Sequence, residues 1–341
     1  MNSTKEQEAT ERPNSGSGLE GMRAIVQHVY GSPDVLRVAA VEKPQIAADE
    51  VLVKVRAAGV DRGTWHLMAG QPYLMRFIGF GLRGPRNPIP GLDVAGTVVA
   101  VGPDVVRLKP GDDVFGISRG SFAEYAAARE DKLVHKPTRI SYEQAAVVAV
   151  SGLAALQGLR VGRLEAGQSV LVVGASGGIG TFAVQLAKAF GAEVTGVCST
   201  GKVDLVRSLG ADHVIDYGHQ DFADGSRRYD LILDVGGSTP LSRLRRALAP
   251  RGTLVIVGGE GGKWTGMGRQ LRALALSLFV RQRLTFFVSK HRRADLEELG
   301  RYIETGQVTP VVDRTYPLAG VPDALRHLEA GHARGKIAIA V

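Results

Sequence analysis

The stretch Ser169-Val-Leu-Val-Val-Gly-Ala-Ser-Gly-Gly-Ile-Gly180 decides the fold of this chain. Ser169 to Val173 is a short β-branched and aliphatic run, which predicts a buried strand. It feeds a glycine-rich turn, Gly174 to Gly180, and then a helical pattern through Phe190. Strand, glycine turn and helix in that order are what a dinucleotide pyrophosphate needs. Glycines let the backbone turn sharply and approach the phosphates, and the helix start offers free N–H groups at the positive end of its dipole. The register is A-x-G-G-x-G on Ala175, Gly177, Gly178 and Gly180, so the first glycine of the usual fingerprint is replaced. The motif alone is weak, but a second strand, Glu193 to Val197, follows the helix as a βαβ unit requires. Ala175, Ser176, Gly177, Gly178, Ile179 and Gly180 are therefore the expected cofactor turn, against the alternative of a tight turn with no ligand.

The end of the second strand bears on which dinucleotide is bound. An NAD site places Asp or Glu roughly 20 residues beyond the glycines, on the ribose 2′-hydroxyl. Here that place reads Cys198-Ser199-Thr200-Gly201-Lys202. No carboxylate stands in this window to repel a 2′-phosphate, and two hydroxyls and an ammonium can bind one through charge-assisted hydrogen bonds. Ser199, Thr200 and Lys202 are the expected ligands and NADPH the expected cofactor. Tyr217, just after the strand-like His213-Val214-Ile215, is expected beside the adenine or on that phosphate. The plainer alternative for Lys202 is a solvated lysine at a helix start.

At 341 residues the chain exceeds what one core usually supports, so two domains are expected. Hydrophobic residues make up 44% and charged residues 22%, as in ordinary globular chains. The net charge of +8 is spread among interleaved acids with no unbroken basic tract. That argues against nucleic-acid binding as the main role and favours gathering an anionic cofactor. The single cysteine, Cys198, excludes an internal disulfide and any multi-thiolate metal site. Residues 1–21 are polar, without an apolar core, and read as a disordered tail rather than a signal peptide. The apolar runs Ala145–Leu156 and Leu271–Val280 are too short to span a bilayer, so a cytoplasmic protein with no membrane partner is expected.

From Met22 to about Lys136 the pattern is β-like, in short runs cut by Gly, Pro and Asp. From Ser141, a predicted N-cap, to Gly162 it is helical. Strands then alternate with helices: Val170–Val173, Glu193–Val197, His213–Ile215, Asp230–Asp234, Thr253–Val257 and Leu284–Val288. That alternation predicts an α/β fold with a doubly wound parallel sheet. The expected divisions are a first domain over 22–145, the nucleotide-binding domain over 146–280, and the last strand with a return to the first domain over 281–341. The 269–280 helix, with Leu271, Leu274, Leu278 and Phe279, is expected in core or subunit packing.

Five stretches carry a family resemblance: Ala57-Ala58-Gly59-Val60-Asp61, Pro90-Gly91-Leu92-Asp93-Val94-Ala95-Gly96, Lys109-Pro110-Gly111-Asp112-Asp113-Val114, Gly174–Gly180, and Gly331-His332-Ala333-Arg334-Gly335-Lys336. With them the chain resembles the medium-chain dehydrogenases/reductases, in the zinc-independent quinone oxidoreductase (ζ-crystallin-like) branch, over about Met22 to Val341. The resemblance implies a GroES-like β-barrel-type catalytic domain beside the Rossmann domain, and a homodimer. The zinc members carry a histidine and a glutamate inside G-H-E-x-x-G, where this chain has Leu92 and Asp93, and a cysteine near the place of Asp61. Leucine cannot ligate a metal, so no metal ligands are expected. Without a metal to polarise oxygen, the expected substrates are ones that accept hydride readily, namely quinones and α,β-unsaturated carbonyls.

Further roles follow from the resemblance. Tyr73 is expected near the nicotinamide, donating to the substrate oxygen, or else packed as a plain aromatic. Asp61 stands where the branch often has an asparagine, and is expected to be protonated or turned toward Arg62 or Thr64. His66 is a shuttle or a structural histidine. Ala154 replaces a hydroxyl residue, with Ser151 as the nearest substitute. Val235 and Gly258 follow the fourth and fifth strands, Phe286, Phe287 and Val288 lie toward the carboxamide, and Lys336 reaches the cofactor or solvent. A zinc-type alcohol dehydrogenase and a nonenzymatic NADPH-binding protein of crystallin or sensor type are the alternatives.

Overall fold

The computed structural model describes residues 21–258 and 266–341. The expected tail lies outside the described residues except for Gly21, which opens the first strand, Gly21–Val26. Six strands form one parallel sheet in the order His213–Asp216, Glu193–Cys198, Ser169–Val173, Tyr229–Asp234, Leu248–Ile256, Arg283–Phe286. Chain order thus runs outward in both directions from Ser169–Val173, and the glycine turn leaves the sheet where that order reverses. In open α/β sheets this is where ligands bind.

The strands are apolar on both faces because both faces are covered. Val170 and Val172 pack into a core with the helices Ala149–Gly162 and Gly178–Ala189. Leu171 and Val173 pack on the other side with Leu244 of the helix Leu241–Ala247 and Ala273 of the helix Gly268–Ser277.

A second sheet of seven strands is built around the long strand Glu50–Val60. Its first half pairs with Tyr125–Arg129, and its far end, Ala57 to Val60, pairs antiparallel with the last strand, Lys336–Ala340. The chain therefore returns to its first half at the end. Asp93–Val101 runs along the other side of the same strand.

Local details differ from the sequence reading. The 141–162 pattern splits into Tyr142–Ala145, capped by a reciprocal Ser141–Gln144 box, and Ala149–Gly162. The sixth strand stops at Phe286, leaving Val288 exposed beyond it. In the 269–280 segment Leu271, Leu274, Leu278 and Phe279 are exposed and not in the core, which Ala273, with Leu276 and Val280 beside it, meets instead.

The missing first glycine of the fingerprint has a compensation across the sheet. Ala175 is fully buried, and the neighbouring strand offers Gly196, where a Cβ would stand 3.0 Å from the Ala175 methyl and 2.4 Å from Val206. A methyl on Gly180 would fall 2.1 Å from the Gly174 carbonyl oxygen, whereas one on Gly177 would meet nothing nearer than that oxygen at 3.5 Å. Gly180→Ala is expected to cost about 3 kcal/mol of stability through overpacking against backbone, while Gly177→Ala costs less than about 1 kcal/mol as a poorer cap. Chemical denaturation of the two variants checks this, and equal losses would contradict it.

Candidate active site

The strand Ser169–Val173 ends in Gly174, whose φ of +87° only glycine adopts without strain. The Gly174 and Ala175 N–H groups donate to the Val197 carbonyl at 3.1 and 3.0 Å, which pins the turn to the second strand. Gly177 caps the helix Gly178–Ala189 with extended backbone and no side chain. Thr181 N–H is the first to reach back, to the Gly177 carbonyl at 2.9 Å. The N–H groups of Gly178, Ile179 and Gly180 precede it and have no helical carbonyl available. With the open space beside Gly177, this is a cradle for an anion.

The C-terminal segment closes one side of the turn. Gly335 N–H donates to the Ser176 carbonyl at 2.9 Å, and the preceding residues reach the next loop. Lys202, in the one-turn helix Thr200–Lys202, donates to the Ala333 and Gly331 carbonyls at 2.8 and 3.3 Å. Arg334 answers by donating to the Gly201 carbonyl at 2.7 Å. Two cations thus stand together beyond Ser199, and sequence reasoning missed the second. Its signal lay in the quoted Gly331–Lys336 ending, which a reading by strand and loop does not bring to residue 201. Burial holds the Lys202 ammonium below its ordinary pKa, with Arg334 adding to the effect and Asp313 opposing it.

Asp216 is a second omission. It ends the third strand and takes a hydrogen bond from the Thr200 hydroxyl, which holds its carboxyl below the usual range. The expectation of no carboxylate holds for residues 198–202 but not for the folded loop, where Thr200 is engaged by Asp216. Tyr217 follows, exposed, with its N–H on the Cys198 carbonyl at 3.1 Å. The Cys198 thiol is buried and pushed up to about 11 by desolvation, so it packs rather than reacts.

At the carboxyl edge of the sheet, Val235 and Gly236 N–H groups both donate to the Val173 carbonyl at 3.0 Å. Gly258 lies against Val235, where a Cβ would stand 2.4 Å from its carbonyl oxygen. Beneath them Asp234 is fully buried and paired with Arg269, Nη1 to Oδ2 at 2.5 Å but outside hydrogen-bond alignment. Burial raises the Asp234 pKa against the pull of Arg269. Phe286 packs into one core and Phe287 into the other, where its ring faces Gly158.

A second cluster lies where the two sheets meet the glycine turn. Lys336, only 3% exposed, donates Nζ to Asp93 Oδ2 at 3.3 Å, and its Cδ would touch a Cβ placed on Gly178. The other Asp93 oxygen accepts Val150 N–H at 2.8 Å. Ser151 is buried beside the same turn, its Oγ 3.4 Å from a Cβ placed on Gly178. Asp61 caps the helix Arg62–Ala69, Oδ1 accepting Thr64 N–H at 2.8 Å, which is one of the partners expected for it. Its Oδ2 is buried without a hydrogen bond. His291, which the sequence reading passed over, completes the group: burial and Lys132 lower its pKa toward the neutral imidazole, and Asp61 opposes them.

Tyr73 is half-buried with the Arg76 guanidinium 4.8 Å from its ring centroid. The preceding Pro72 abuts Gly266 of the nucleotide-binding half, so the Tyr73 loop reaches across between the domains. Among the described residues no group of three or more His, Cys, Asp and Glu side chains is arranged to hold a metal.

Comparison with known proteins agrees with this geometry. Residues 47–138 match the model of the alcohol dehydrogenase GroES-like domain, and residues 209–339 match that of the zinc-binding dehydrogenases. A 2-methylene-furan-3-one reductase from Solanum lycopersicum is 34% identical over 97% of this chain and 82% of its own length. The chain belongs to the medium-chain dehydrogenases/reductases, in their quinone-oxidoreductase branch. An NADPH-dependent alkenal/one oxidoreductase of Arabidopsis thaliana chloroplasts is 36% identical over 93% of this chain and 79% of its own. The quinone oxidoreductase of Coxiella burnetii superposes with a TM-score of 0.84 at 26% identity, over 94% of this chain and all of its own. A mycobacterial protein solved with NADPH superposes with a TM-score of 0.80 at 28% identity, over the same shares.

Within this branch the buried Asp93 gives a pH signature. Burial, reinforced by Asp61 and opposed by Lys336, raises its pKa to about 7, from about 4 in an unfolded chain. Between those values the folded protein holds a proton that the unfolded chain has released, so this group lowers stability as pH rises from about 4 to 7 and adds no slope above. Denaturant titrations across that window are expected to show the downward component in the native protein and its loss in Asp93→Asn. Identical slopes would refute it.

Proposed function

We propose that this protein uses NADPH to reduce a quinone or an α,β-unsaturated carbonyl without zinc. One combination carries the reading: an open glycine turn with Lys202 and Arg334 at its far end, in a chain whose zinc-motif position is Leu92. The turn fits a dinucleotide because a Cβ on Gly177 would meet nothing nearer than the Gly174 carbonyl oxygen and the first-turn N–H groups have no carbonyl within their own helix. Residues 175–180 would hold the pyrophosphate, with Lys336 next to them. Ser199, Lys202 and Arg334 would hold the 2′-phosphate, with Thr200 and Tyr217 alongside. Val235, Gly258 and Phe286 to Val288 mark the sheet edge toward the nicotinamide.

When bound, NADPH supplies hydride. The reduction also needs one proton, at the oxygen of a quinone or the α-carbon of an enone. Tyr73, in the loop that spans the domains, is assigned to donate to the substrate oxygen. Asp61 and His291 are the titratable groups able to pass a proton inward from solvent. Leu92 offers no metal ligand, so the conjugated oxygen of the substrate must itself accept the negative charge.

A homodimer and a cytosolic setting are part of this reading. The edge strand Arg283–Phe286 is paired on one side, and Leu271, Leu278, Phe279 and Val288 beside it are exposed, which supports a self-complementary contact. Relatives are named as chloroplastic and mitochondrial, and fluorescence localisation of the tagged full-length protein tests the cytosolic setting against those compartments.

Steady-state oxidation of NADPH with a quinone and an enone tests the function. Lys202→Ala and Arg334→Ala are each expected to raise the KM for NADPH by about ten-fold, the worth of a hydrogen bond to a charged group, and to leave that for NADH unchanged. Chelation is expected to leave kcat unchanged. Activity lost on chelation and restored by zinc would establish the zinc-type alternative, and tight NADPH binding without turnover the nonenzymatic one.

A further inference from the structure

Between Asp61 and Asp93 the chain carries four arginines, Arg62, Arg76, Arg83 and Arg86, and no carboxylate. In the middle of that span large apolar side chains face solvent: Phe77 is 70% and Leu82 63% exposed, and Leu74 and Phe80 are exposed as well. Arg83 and Arg86 are exposed among them. Gly84 packs on the His28 carbonyl and against Val29, which brings the exposed Val29 to the same face.

The backbone under this face is tied down. The Arg76 guanidinium lies 4.5 Å from the Tyr30 ring centroid and donates Nε to the Gly70 carbonyl at 2.8 Å. The Tyr30 hydroxyl donates to the Phe80 and Gly81 carbonyls at 3.0 and 2.8 Å, and Arg86 N–H donates to Phe80 at 2.9 Å. Gly79 and Gly81 supply the positive φ, +113° and +111°, that the tight course requires. A braced loop that leaves phenylalanine and leucine in water marks an interaction surface.

We propose that the loop Leu74–Arg86, with Val29, docks this protein peripherally on a membrane of anionic lipid. Apolar side chains that enter the acyl boundary, rimmed by arginines that meet phosphate, are the two elements of interfacial binding. Charge decides against a second copy of the chain as the occupant. A self-complementary contact would set these arginines against their own copies, with no carboxylate in the span to pair them. Tyr73 immediately precedes the loop, so docking brings that end of the interdomain contact to the bilayer. The sequence reading excluded a spanning segment and with it a membrane partner, but surface binding needs no spanning segment. The inference is independent of the reaction assigned above.

Sedimentation of the full-length protein with vesicles tests it. Binding is expected to vesicles of phosphatidylcholine with about 30% phosphatidylglycerol, not to phosphatidylcholine alone, and to weaken in high salt. Arg83→Gln/Arg86→Gln is expected to lose about 25-fold in partitioning, five-fold per arginine. Phe77→Ser/Leu82→Ser is expected to lose about ten-fold or more, with thermal midpoints confirming that both variants fold. No binding, equal binding to both vesicles, or variants that bind like the native protein would overturn the proposal. So would a smaller sedimenting species in Phe77→Ser/Leu82→Ser, which would make the face an interface between copies.

Discussion

Lys336 and Asp93 meet where three parts of the molecule converge, and neither has water to fall back on. Lys336 opens the strand that returns the C-terminus to the first sheet, Asp93 opens a central strand of that sheet, and Val150 N–H ties Asp93 to the helix behind the nucleotide-binding sheet. The lysine stem lies along Gly178, where the glycine turn passes into its helix. A buried ion pair is tolerated only where its geometry is fixed and its remaining valences are met. Gly59 shows how closely this one is packed: a Cβ there would stand 2.4 Å from the Ala146 carbonyl and 2.8 Å from Asp93 Cβ. The same closeness aligns the turn with the first domain.

Much of the fold was legible because it is written in local pattern. The apolar runs, the glycine turn and the Ser141 cap declare themselves within a few residues, and alternation of strand and helix fixes the parallel sheet. The replaced first glycine looked like a defect in the fingerprint. Its compensation, Gly196 on the adjacent strand, is visible only once the register of the two strands is known.

The site was legible where it lies on one segment and hidden where distant segments meet. Residues 175–180, Ser199, Thr200, Lys202 and Tyr217 were candidates readable from the motif and the strands after it, while Arg334 reaches residue 201 from 133 positions away and Lys336 reaches Asp93 from 243. His291 carries no motif and sits beyond the last strand of the parallel sheet. For the helix Gly268–Ser277 an apolar helical stripe says only that something covers it, and leaves core and subunit packing undivided. In this chain Ala273 and the partly buried Leu276 meet the core, while Leu271 and Leu274 face outward. The exposed remainder, and the braced arginine-rich loop at 74–86, are surfaces that a single chain's packing does not account for.

The chemistry follows from what stands at a few positions. On the proposed reading Leu92 offers no metal ligand, the substrate carries its own electron sink, and the chain is left to orient reactants and manage a proton. The most direct test of this is deuterium transfer by metal-stripped protein, using NADPH deuterated at nicotinamide C4 and a conjugated enone. The account predicts a saturated carbonyl product with deuterium at the β-carbon and solvent hydrogen at the α-carbon. Deuterium at the carbonyl carbon, or transfer that appears only after zinc is added back, would contradict it.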